Sequence, residues 1–472
     1  MNDLLPVAED RVLSTLNVDG SRRWLYPRVS IGRFLRARRW LAYALIAVFT
    51  LAPYLRWHGK PLILLDIPAR EFTIGGFTFL PTDTLLLALF LVSVIVTIVL
   101  ATALLGRVWC GWMCPQTVYM EFVYRPWERW LDGPPGPRHS PGKKATPGRT
   151  ALKYLGFLLI SAFLAHTFLA YFVGIERLAV WIRRSPLEHP TSFLVMLAVT
   201  GLMMFDFAYF REQTCLVACP YGRFQSVMLD RDSLIVSYDS NRGEPRNKPG
   251  RGAEPAEPKG DCIDCGFCQD TCPTGIDIRN GLQMECIACT QCIDACDRVM
   301  ERLGKPRGLV RFSSQARMAG MTSRSWRPRV VVYPALLLVL LTAFTVVLLR
   351  KQPADVTLLR GLGTPFTELV PGQITNQIRI KIKNRTDESR AYEVAVIDEP
   401  TARLTMAANP VTVTARQSRT EALLIALPRA AFAGGTHDIR LRVSDGKQFR
   451  REFTYRLLGP VSGVHEPRGD DG

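Results

Sequence analysis

The feature that most constrains this chain is a long apolar run, "DTLLLALFLVSVIVTIVLATALLG", at residues 83–106. A run of this length with a single charge at its start is typical of a helix that spans a bilayer. Five stretches of this kind predict membrane helices, at about 39–56, 83–106, 154–174, 192–210 and 331–350. The first is the weakest because Pro53 interrupts it. The chain is therefore expected to be a multi-pass membrane protein with an α-helical transmembrane bundle of about five helices.

The distribution of positive charge predicts how these helices are oriented. The net charge is +17, but residues 21–40 hold seven arginines and 107–153 hold eight Lys or Arg, against two in 57–82 and three in 175–191. This asymmetry follows the positive-inside rule, so the N-terminus, the 107–153 loop and the segment after the fourth helix are expected to be cytoplasmic. The C-terminal region is then periplasmic, in a bacterial inner membrane. Nucleic-acid binding is not needed to explain the charge, and no nucleic-acid partner is expected.

No signal peptide is expected at the start of the chain. The first thirty residues contain "AED" and no uninterrupted apolar segment. The first membrane helix is therefore expected to act as an uncleaved anchor.

The chain has twelve cysteines, all on the predicted cytoplasmic side, and none beyond Lys351. Disulfides are rare in a reducing cytosol, so the thiols are expected to be metal ligands or redox groups. Eight of them form two runs, "CIDCGFCQDTC" and "CIACTQCIDAC", each with the C-x2-C-x2-C-x3-C spacing of a bacterial [4Fe–4S] site. In two-cluster proteins the fourth cysteine of each run binds the other cluster. The predicted ligands are Cys262, Cys265, Cys268 and Cys296 for cluster 1, and Cys286, Cys289, Cys292 and Cys272 for cluster 2.

The residue after each run differs. Pro273 follows the first run as the motif expects, and Asp297 stands at the equivalent place in the second. This departure removes a turn constraint but no ligand.

The other four cysteines belong to a repeated C-x-x-x-C-P element, "WCGWMCPQ" and "TCLVACPY". On a helix, each pair would stand at i,i+4 on one face, and the proline would mark a turn or the end of the helix. Two such pairs on adjacent hairpins could hold one soft metal ion, such as Cu(I). Alternatively, each pair cycles between dithiol and disulfide, or the thiols are small buried residues. The candidate catalytic residues, as a redox or copper site, are Cys110, Cys114, Cys215 and Cys219.

The C-terminal region alternates apolar and polar residues, as in "NQIRIKIKNRT" and "THDIRLRVSD". This pattern predicts an all-β, immunoglobulin-like antiparallel sandwich of about seven strands. A short strand is also expected within residues 230–239. The predicted segments are a basic cytoplasmic N-terminal segment (1–38), four transmembrane helices with both C-x-x-x-C-P motifs (39–210), a cytoplasmic connector and flexible linker (211–260), an inserted two-cluster ferredoxin-like domain (261–300), a basic connector (301–330), the fifth transmembrane helix (331–350), the periplasmic sandwich (354–460) and a disordered tail (461–472).

Three stretches carry a family resemblance: "FREQTCLVACPYGRFQSVMLDRDSLIVSYD", "GDCIDCGFCQDTCPTGIDIRNGLQMECIACTQCIDACD" and "LLDIPAREF". They resemble the FixG/CcoG-type cytochrome c oxidase accessory proteins, which are membrane polyferredoxins. The likeness runs from about residue 20 to residue 460, and Asp297 agrees with it. It implies that the protein assists assembly of cbb3-type cytochrome c oxidase by reducing Cu(II) to Cu(I). The quinol-linked membrane ferredoxins of nitrate reduction share the paired C-x-x-x-C-P motif, so the motif is not specific for copper.

Three hypotheses follow: an oxidoreductase of the cupric reductase type, a quinol-linked membrane electron carrier, and a non-enzymatic scaffold or sensor for oxidase assembly. The expected cofactors are two [4Fe–4S] clusters, with copper as a further candidate. The expected partners are the membrane, cbb3-type oxidase subunits or copper-maturation factors, and an electron donor that the sequence does not identify.

Overall fold

A computed structural model describes residues 13–461 except 18, 58, 68–70, 80–82, 144–145, 247–259, 322–327 and 433. The predicted tail from residue 462, most of the predicted linker and the first twelve residues lie outside this described part. The chain forms two compact units, residues 1–345 and 346–472. The first unit contains the eight cysteines of the two ferredoxin-like runs and the apolar helices, the last of which (Pro328–Leu349) ends four residues into the second unit.

The first unit begins with α1 (Arg33–Leu51), followed by a single 3₁₀ turn (Ala52–Tyr54). Among the described residues, four helical segments are long and apolar enough to cross a membrane: Thr84–Leu105, Pro147–Val173, Pro190–Phe210 and Pro328–Leu349. These confirm four of the five predicted spans. Helix α1 falls outside this set because its first half carries Arg33, Arg36, Arg38 and Arg39.

Helix α1 nevertheless connects the two ends of the bundle. At one end the Arg38 Nε donates to the Gly111 carbonyl at 2.9 Å, close to the predicted cluster region. At the other end the chain enters five short strands, β1 (Arg56–Trp57), β2 (Lys60–Pro61), β3 (Ile63–Asp66), β4 (Glu71–Ile74) and β5 (Phe77–Phe79). Helix α2 (Thr84–Leu105) then returns towards the first end. The N-terminal helix therefore runs along the bundle once, with its arginines at the end that carries the predicted cluster region.

The short strands form a layer at one end of the bundle. Strands β3, β4 and β5 make an antiparallel meander in which Leu65 pairs with Phe72. The Arg177 guanidinium, from the short helix Ile175–Trp181, bonds the Asp66 carboxylate at 3.1 Å. This ion pair ties the meander to the second helical hairpin.

Two helical hairpins and their connections make up the rest of the bundle. After α2 come α3 (Val108–Trp112), α4 (Pro115–Tyr119), a π-helical turn (Met120–Tyr124) and α5 (Arg125–Asp132). The second hairpin consists of α6 (Pro147–Val173), α7 (Ile175–Trp181) and α8 (Pro190–Met204), which continues through a π-helical stretch (Phe205–Phe210). A further π-helical turn (Thr214–Ala218) and α9 (Pro220–Met228) lead into the cysteine-rich part of the unit.

The cysteine-rich layer lies at the other end of the bundle. It contains β6 (Ile235–Tyr238), α10 (Ser240–Gly243), α11 (Phe267–Asp270), α12 (Gln291–Arg302), β7 (Val310–Ser313) and α13 (Gln315–Met318), before α14 (Pro328–Leu349). The strand predicted within 230–239 is confirmed as β6, which pairs with β7 across the layer so that Val236 is opposite Phe312.

The N-terminal strap (residues 13–32) is an integral part of this layer. The Ser14 amide donates to Glu285, the Arg28 amide to the Asp270 carbonyl and the Ser30 amide to Gln291. Leu25 within the strap is fully buried. The sequence predicted only a basic cytoplasmic segment here; the backbone hydrogen bonds hold the strap against the cysteine-rich runs.

The second unit is a β-sandwich. Its strands are β8 (Ala354–Arg360), β9 (Thr367–Val370), β10 (Gln373–Asn384), β11 (Arg390–Val396), β12 (Arg403–Met406), β13 (Val411–Val413), β14 (Ser418–Pro428), β15 (Gly434–Ser444) and β16 (Arg450–Val461). One sheet has the order β12–β14–β10–β8 with β9 added to β10, and the other has the order β13–β11–β15–β16. The described part thus has nine strands where about seven were predicted, since β9 and β12, with four residues each, are too short to show alternation. The inward residues of both sheets, including Ile380, Leu423, Ile425 and Leu441, form a closed apolar core.

Candidate functional site: two cysteine cavities and a thiol quartet

The first cysteine cavity has an empty volume of about 380 Å³ and is lined by Cys262, Cys265, Cys268 and Cys296. The second has about 340 Å³ and is lined by Cys272, Cys286, Cys289 and Cys292. Cys268 also lines the second cavity, so the two share a wall. Each predicted set of four ligands therefore faces a single cavity, including the exchanged fourth cysteines. Whether these thiols bind clusters stays a prediction.

The two cysteine runs surround their cavities with the same backbone conformation. Asp264 and Gly266 in the first run have positive φ, and so do Ala288 and Thr290 at the equivalent positions of the second. Three of these four are not glycine, so the surrounding structure must hold them in this strained region. The left-handed turns wrap each three-cysteine loop around its cavity. The amides of Ala288 and Gln291 then point at the thiols of Cys286 and Cys289.

The chemistry of the cavities fits a cluster better than a single ion. Burial raises the pKa of Cys286 to about 11 and that of Cys296 to about 12, so these thiols would stay protonated without a cationic partner. Within the described residues, no three His, Cys, Asp or Glu side chains lie close enough to hold one metal ion. Four thiols around one apolar cavity suit a [4Fe–4S] core.

The thiol quartet consists of Cys110, Cys114, Cys215 and Cys219. Cys110 lies in α3, but Cys114 has left the helix with φ −60° and ψ 126°. The expected i,i+4 pairing on one helix face is therefore wrong. The reason is Pro115, which disfavours helical geometry in the residue before it and then begins α4.

The second motif repeats this geometry. Cys219 is extended, with φ −73° and ψ 110°, and Pro220 begins α9. The Cys114 amide donates to the Trp109 carbonyl and the Cys219 amide to the Thr214 carbonyl, each five residues back. Both motifs are thus wide turns between two helices, and the prolines start helices as well as ending them.

The four quartet thiols lie close to one another, although the two motifs are 105 residues apart. Burial raises the pKa of Cys215, and the proximity of Cys114, Cys110 and Cys219 raises it further. Burial likewise raises the pKa of Cys110 to about 11, against the opposing effect of Arg107. The Cys110 thiol donates to Gln225 Oε1 at 3.1 Å. The expectation that both hairpins bring their cysteines to one place agrees with this arrangement.

Asp206, at the end of the fourth predicted span, serves the same region. Its carboxylate accepts hydrogen bonds from Gln116 Nε2 at 3.1 Å and from the Thr214 hydroxyl. The Gln116 amide also donates to the Arg211 carbonyl at 3.1 Å. The carboxylate is therefore paired and joins the two turns of the quartet.

Sequence reasoning missed three residues around the quartet: Arg107, Gly111 and Gln225. Arg107 is buried and donates to the Gly222 and Met284 carbonyls, and its Nε donates to Gln225 at 3.3 Å. Two signals were present in "GRVWCGWMCP": an arginine directly at a membrane boundary, and a glycine between two cysteines. Neither signal identifies a contact by itself, because the contacting residues lie 73 or more positions away in the sequence.

Comparisons with known families agree with this description. A 4Fe-4S dicluster domain model matches residues 210–315, a 4Fe-4S binding domain model matches 87–135, and the IG-like fold at the C-terminus of FixG matches 344–460. Together with the apolar helices, these matches define a membrane-bound iron–sulfur electron-transfer protein.

Relatives that span nearly the whole chain specify the family. Protein RdxB of Cereibacter sphaeroides is 32% identical and covers 91% of this chain and 95% of its own length. Protein RdxA of the same organism is 30% identical, covering 89% and 93%. Nitrogen fixation protein FixG of Rhizobium meliloti is 29% identical, covering 91% of each chain. The chain belongs to the FixG/Rdx family.

Proposed function

We propose that the protein reduces Cu(II) to Cu(I) at the thiol quartet and supplies Cu(I) for assembly of a cbb3-type cytochrome c oxidase. The observation that carries this proposal is the convergence of four soft sulfur donors beside a cysteine cavity suited to an iron–sulfur cluster. No three of these thiols are placed to hold one metal ion in the described structure, so copper would have to draw them closer together on binding. Thiolates are among the preferred ligands of Cu(I). The family membership favours the same reading.

The proposed cluster ligands are the eight cysteines of the two cavities. When bound there, a [4Fe–4S] cluster stores and passes single electrons. The protein's own residues hold the cubane ligands in place, shield the two cavities with apolar side chains such as Ile276 and Leu309, and bring the second cavity next to Cys110.

Copper is the substrate in this proposal. Each Cu(II) gains one electron and becomes Cu(I), and a one-electron donor of low potential restores the electron. The quartet thiols must lose protons to bind the ion, because burial raises the pKa of Cys110 and Cys215. The Cys110 proton lies on a hydrogen bond to Gln225, and Asp206 is linked to the other turn through Thr214.

The proposed location is the bacterial inner membrane, with the cysteine cavities in the cytoplasm and the β-sandwich in the periplasm. The arginine-rich N-terminal strap and the 107–153 loop support this orientation. The cysteine-free C-terminal unit is compatible with either compartment.

The test uses full-length protein purified anaerobically and reduced with dithionite, followed by removal of excess reductant. Cu(II) is then added, and EPR follows loss of the Cu(II) signal together with reoxidation of the clusters. We expect fast reduction by the wild type and slow reduction by a Cys110/Cys114/Cys215/Cys219→Ser variant. Met113→Ser and Val217→Ser lie in the same two turns and serve as matched controls that should keep the wild-type rate.

Two outcomes would overturn the assignment of the quartet. Equal rates for the wild type and the four-serine variant would show that copper is reduced elsewhere. Iron at about twelve rather than about eight atoms per chain would favour a third cluster on the quartet, as the 4Fe-4S binding domain match at residues 87–135 also suggests. A protein reduced by quinol and indifferent to copper would instead be a membrane electron carrier.

A further inference from the structure

Gly111 makes a close contact between the first turn of the thiol quartet and the second cysteine cavity. It follows Cys110 directly and is buried against the loop of the second cavity. A Cβ atom at this position would lie 2.5 Å from the Ile287 carbonyl oxygen and 2.8 Å from the Cα and the amide nitrogen of Cys289. These are backbone atoms, which cannot rotate away as a side chain would. Only glycine lets the first C-x-x-x-C turn approach the second cavity this closely.

Two buried arginines, Arg38 and Arg107, form hydrogen bonds around this contact. Arg38 donates to the Gly111 carbonyl at 2.9 Å, and its positive charge acts on Cys289. Arg107 donates to the Met284 carbonyl next to the second run and to Gln225, which accepts the Cys110 thiol proton. Arg107 therefore lies between Cys286 and Cys110 and acts electrostatically on both.

The charge around the two cavities differs. The arginine near the first cavity, Arg279, is neutralised by two carboxylates, Asp277 at 2.6 Å and Asp264. Within the part of the chain that the structure describes, neither Arg38 nor Arg107 forms an ion pair; both bond neutral carbonyl or amide oxygens.

The carboxylate that most nearly opposes this positive charge is Glu121. It interacts electrostatically with Arg38 and with Cys289, but its own ion pair is with Arg125. Arg107 and Arg38 thus place positive charge near Cys286 and Cys289, opposed at Cys289 by Glu121. Positive charge favours the reduced, more negative form of an iron–sulfur cluster and raises its potential.

We propose that the second cavity is the electron outlet to the thiol quartet, and that the first cavity feeds it through their shared wall at Cys268. Gly111 is the positioning residue of this outlet. The positive charges of Arg38 and Arg107 would give a cluster in the second cavity a higher reduction potential than one in the first. A cluster held by Cys272, Cys286, Cys289 and Cys292 would give one electron to one Cu(II) at the quartet, which would become Cu(I). The identity of the electron acceptor, Cu(II), rests on the proposed function. The order in which the two cavities pass the electron does not.

The order is tested by redox titration of full-length protein, monitored by EPR. Cys265→Ser and Cys292→Ser identify the signals of the first and second clusters by removing one each. We expect the second cluster to have the higher potential, and Arg107→Gln and Arg38→Gln to lower it while leaving the first unchanged. Arg279→Gln is the matched control and should shift only the first. A higher potential for the first cluster, or a shift of both clusters with Arg107→Gln, would overturn the order.

The contact is tested by single-turnover reoxidation with Cu(II). Gly111→Ala should slow reoxidation several-fold at wild-type iron content, whereas Gly201→Ala, where nothing lies within 4 Å of the new methyl group, should not. The Cys265→Ser protein should still reoxidise its remaining cluster rapidly, and the Cys292→Ser protein should retain its electron. Rapid reoxidation of Cys292→Ser would refute the outlet. Absence of reoxidation in the wild type would refute the copper proposal, and the titration would still decide the order.

Discussion

The two units of this protein are stabilised by different interactions. The C-terminal unit has an apolar core in which Ile380, Tyr392 and Leu441 are fully buried between two sheets. The first unit buries charged groups instead, such as Arg125 and Arg211, together with thiols that line two cavities. A β-sandwich of this kind is stabilised mainly by its buried apolar area. The cysteine-rich layer depends on partners for its buried polar groups, because an unpaired one is costly.

This difference in what is buried distinguishes the unit that carries the candidate site from the unit that does not. Burying thiols and guanidinium groups has a desolvation cost that their interactions offset only in part. Their presence in the first unit therefore points to a functional site there. The sandwich has no cysteine, and its buried side chains are those of an ordinary β-structure. Four substitutions would break or sharpen this contrast.

The largest effect is expected from Cys292→Ser in the second cavity. Iron and sulfide should fall from about eight to about four atoms per chain, because a [4Fe–4S] core needs all four ligands. Metal analysis and EPR check this, and limited proteolysis should show the sandwich unchanged. Cys219→Ser in the quartet is the control and should retain the full iron content. Equal iron loss in both variants would mean that the quartet also holds a cluster.

The next effect is expected from Arg125→Met. Arg125 bonds Glu121, Glu212 at 3.4 Å and the Pro273 carbonyl at 3.5 Å, so its loss removes the ion pair of Glu121 and leaves Glu212 with Arg22 alone. The expected cost is about 3–5 kcal/mol in the first unit. The temperature at which the cluster absorbance is lost measures it. Arg184→Met removes an exposed pair with Glu188 and should change this temperature little; equal shifts would contradict the buried network.

Ile380→Ala tests the other unit. Its side chain is fully buried in β10, so truncation should cost about 2–5 kcal/mol through lost apolar contact and a cavity. Thermal unfolding of the β-signal should shift, while iron content and EPR spectra stay as in the wild type. The neighbouring exposed Lys381→Ala is the control. Loss of clusters in Ile380→Ala would show that the two units are energetically coupled.

The smallest effect is a pH dependence at His139. Its Nε2 bonds the Gln269 carbonyl at 3.0 Å, and burial lowers its pKa from 6.5 to about 4. Between pH 4 and pH 6.5, His139 takes up a proton when it detaches from Gln269 but not while it is docked there. The docking of the segment around His139 therefore weakens as pH falls from 6.5 towards 4. Above pH 6.5 the group has no effect. The full change is on the order of 1–3 kcal/mol.

Hydrogen exchange around residues 267–272 at pH 7 and pH 5 measures this weakening. His139→Gln keeps a donor for the Gln269 carbonyl but does not titrate, so its exchange should respond less to pH. An unchanged response in His139→Gln would assign the effect to another group.

Much of the architecture could be predicted because its signals are local. Apolar length predicted the four spans Thr84–Leu105, Pro147–Val173, Pro190–Phe210 and Pro328–Leu349. Period-two alternation predicted the long strands β10, β14 and β15, and missed β9 and β12 because four residues are too few to show a period. The quartet turns were mispredicted as i,i+4 helix pairs, although the prolines at 115 and 220 already disfavour helix at the preceding cysteines.

The sequence by itself determined the membrane helices, the two cysteine runs and the sandwich, because residue spacing along the chain sets hydrophobic period and ligand geometry. Only the tertiary structure decided that the N-terminal strap docks on the cysteine-rich layer, that four thiols from two hairpins converge, and that Gly111 lies against Cys289. These contacts join residues that are roughly 100 to 270 positions apart. Their formation depends on how helices and loops pack, and no local period of the sequence records that packing.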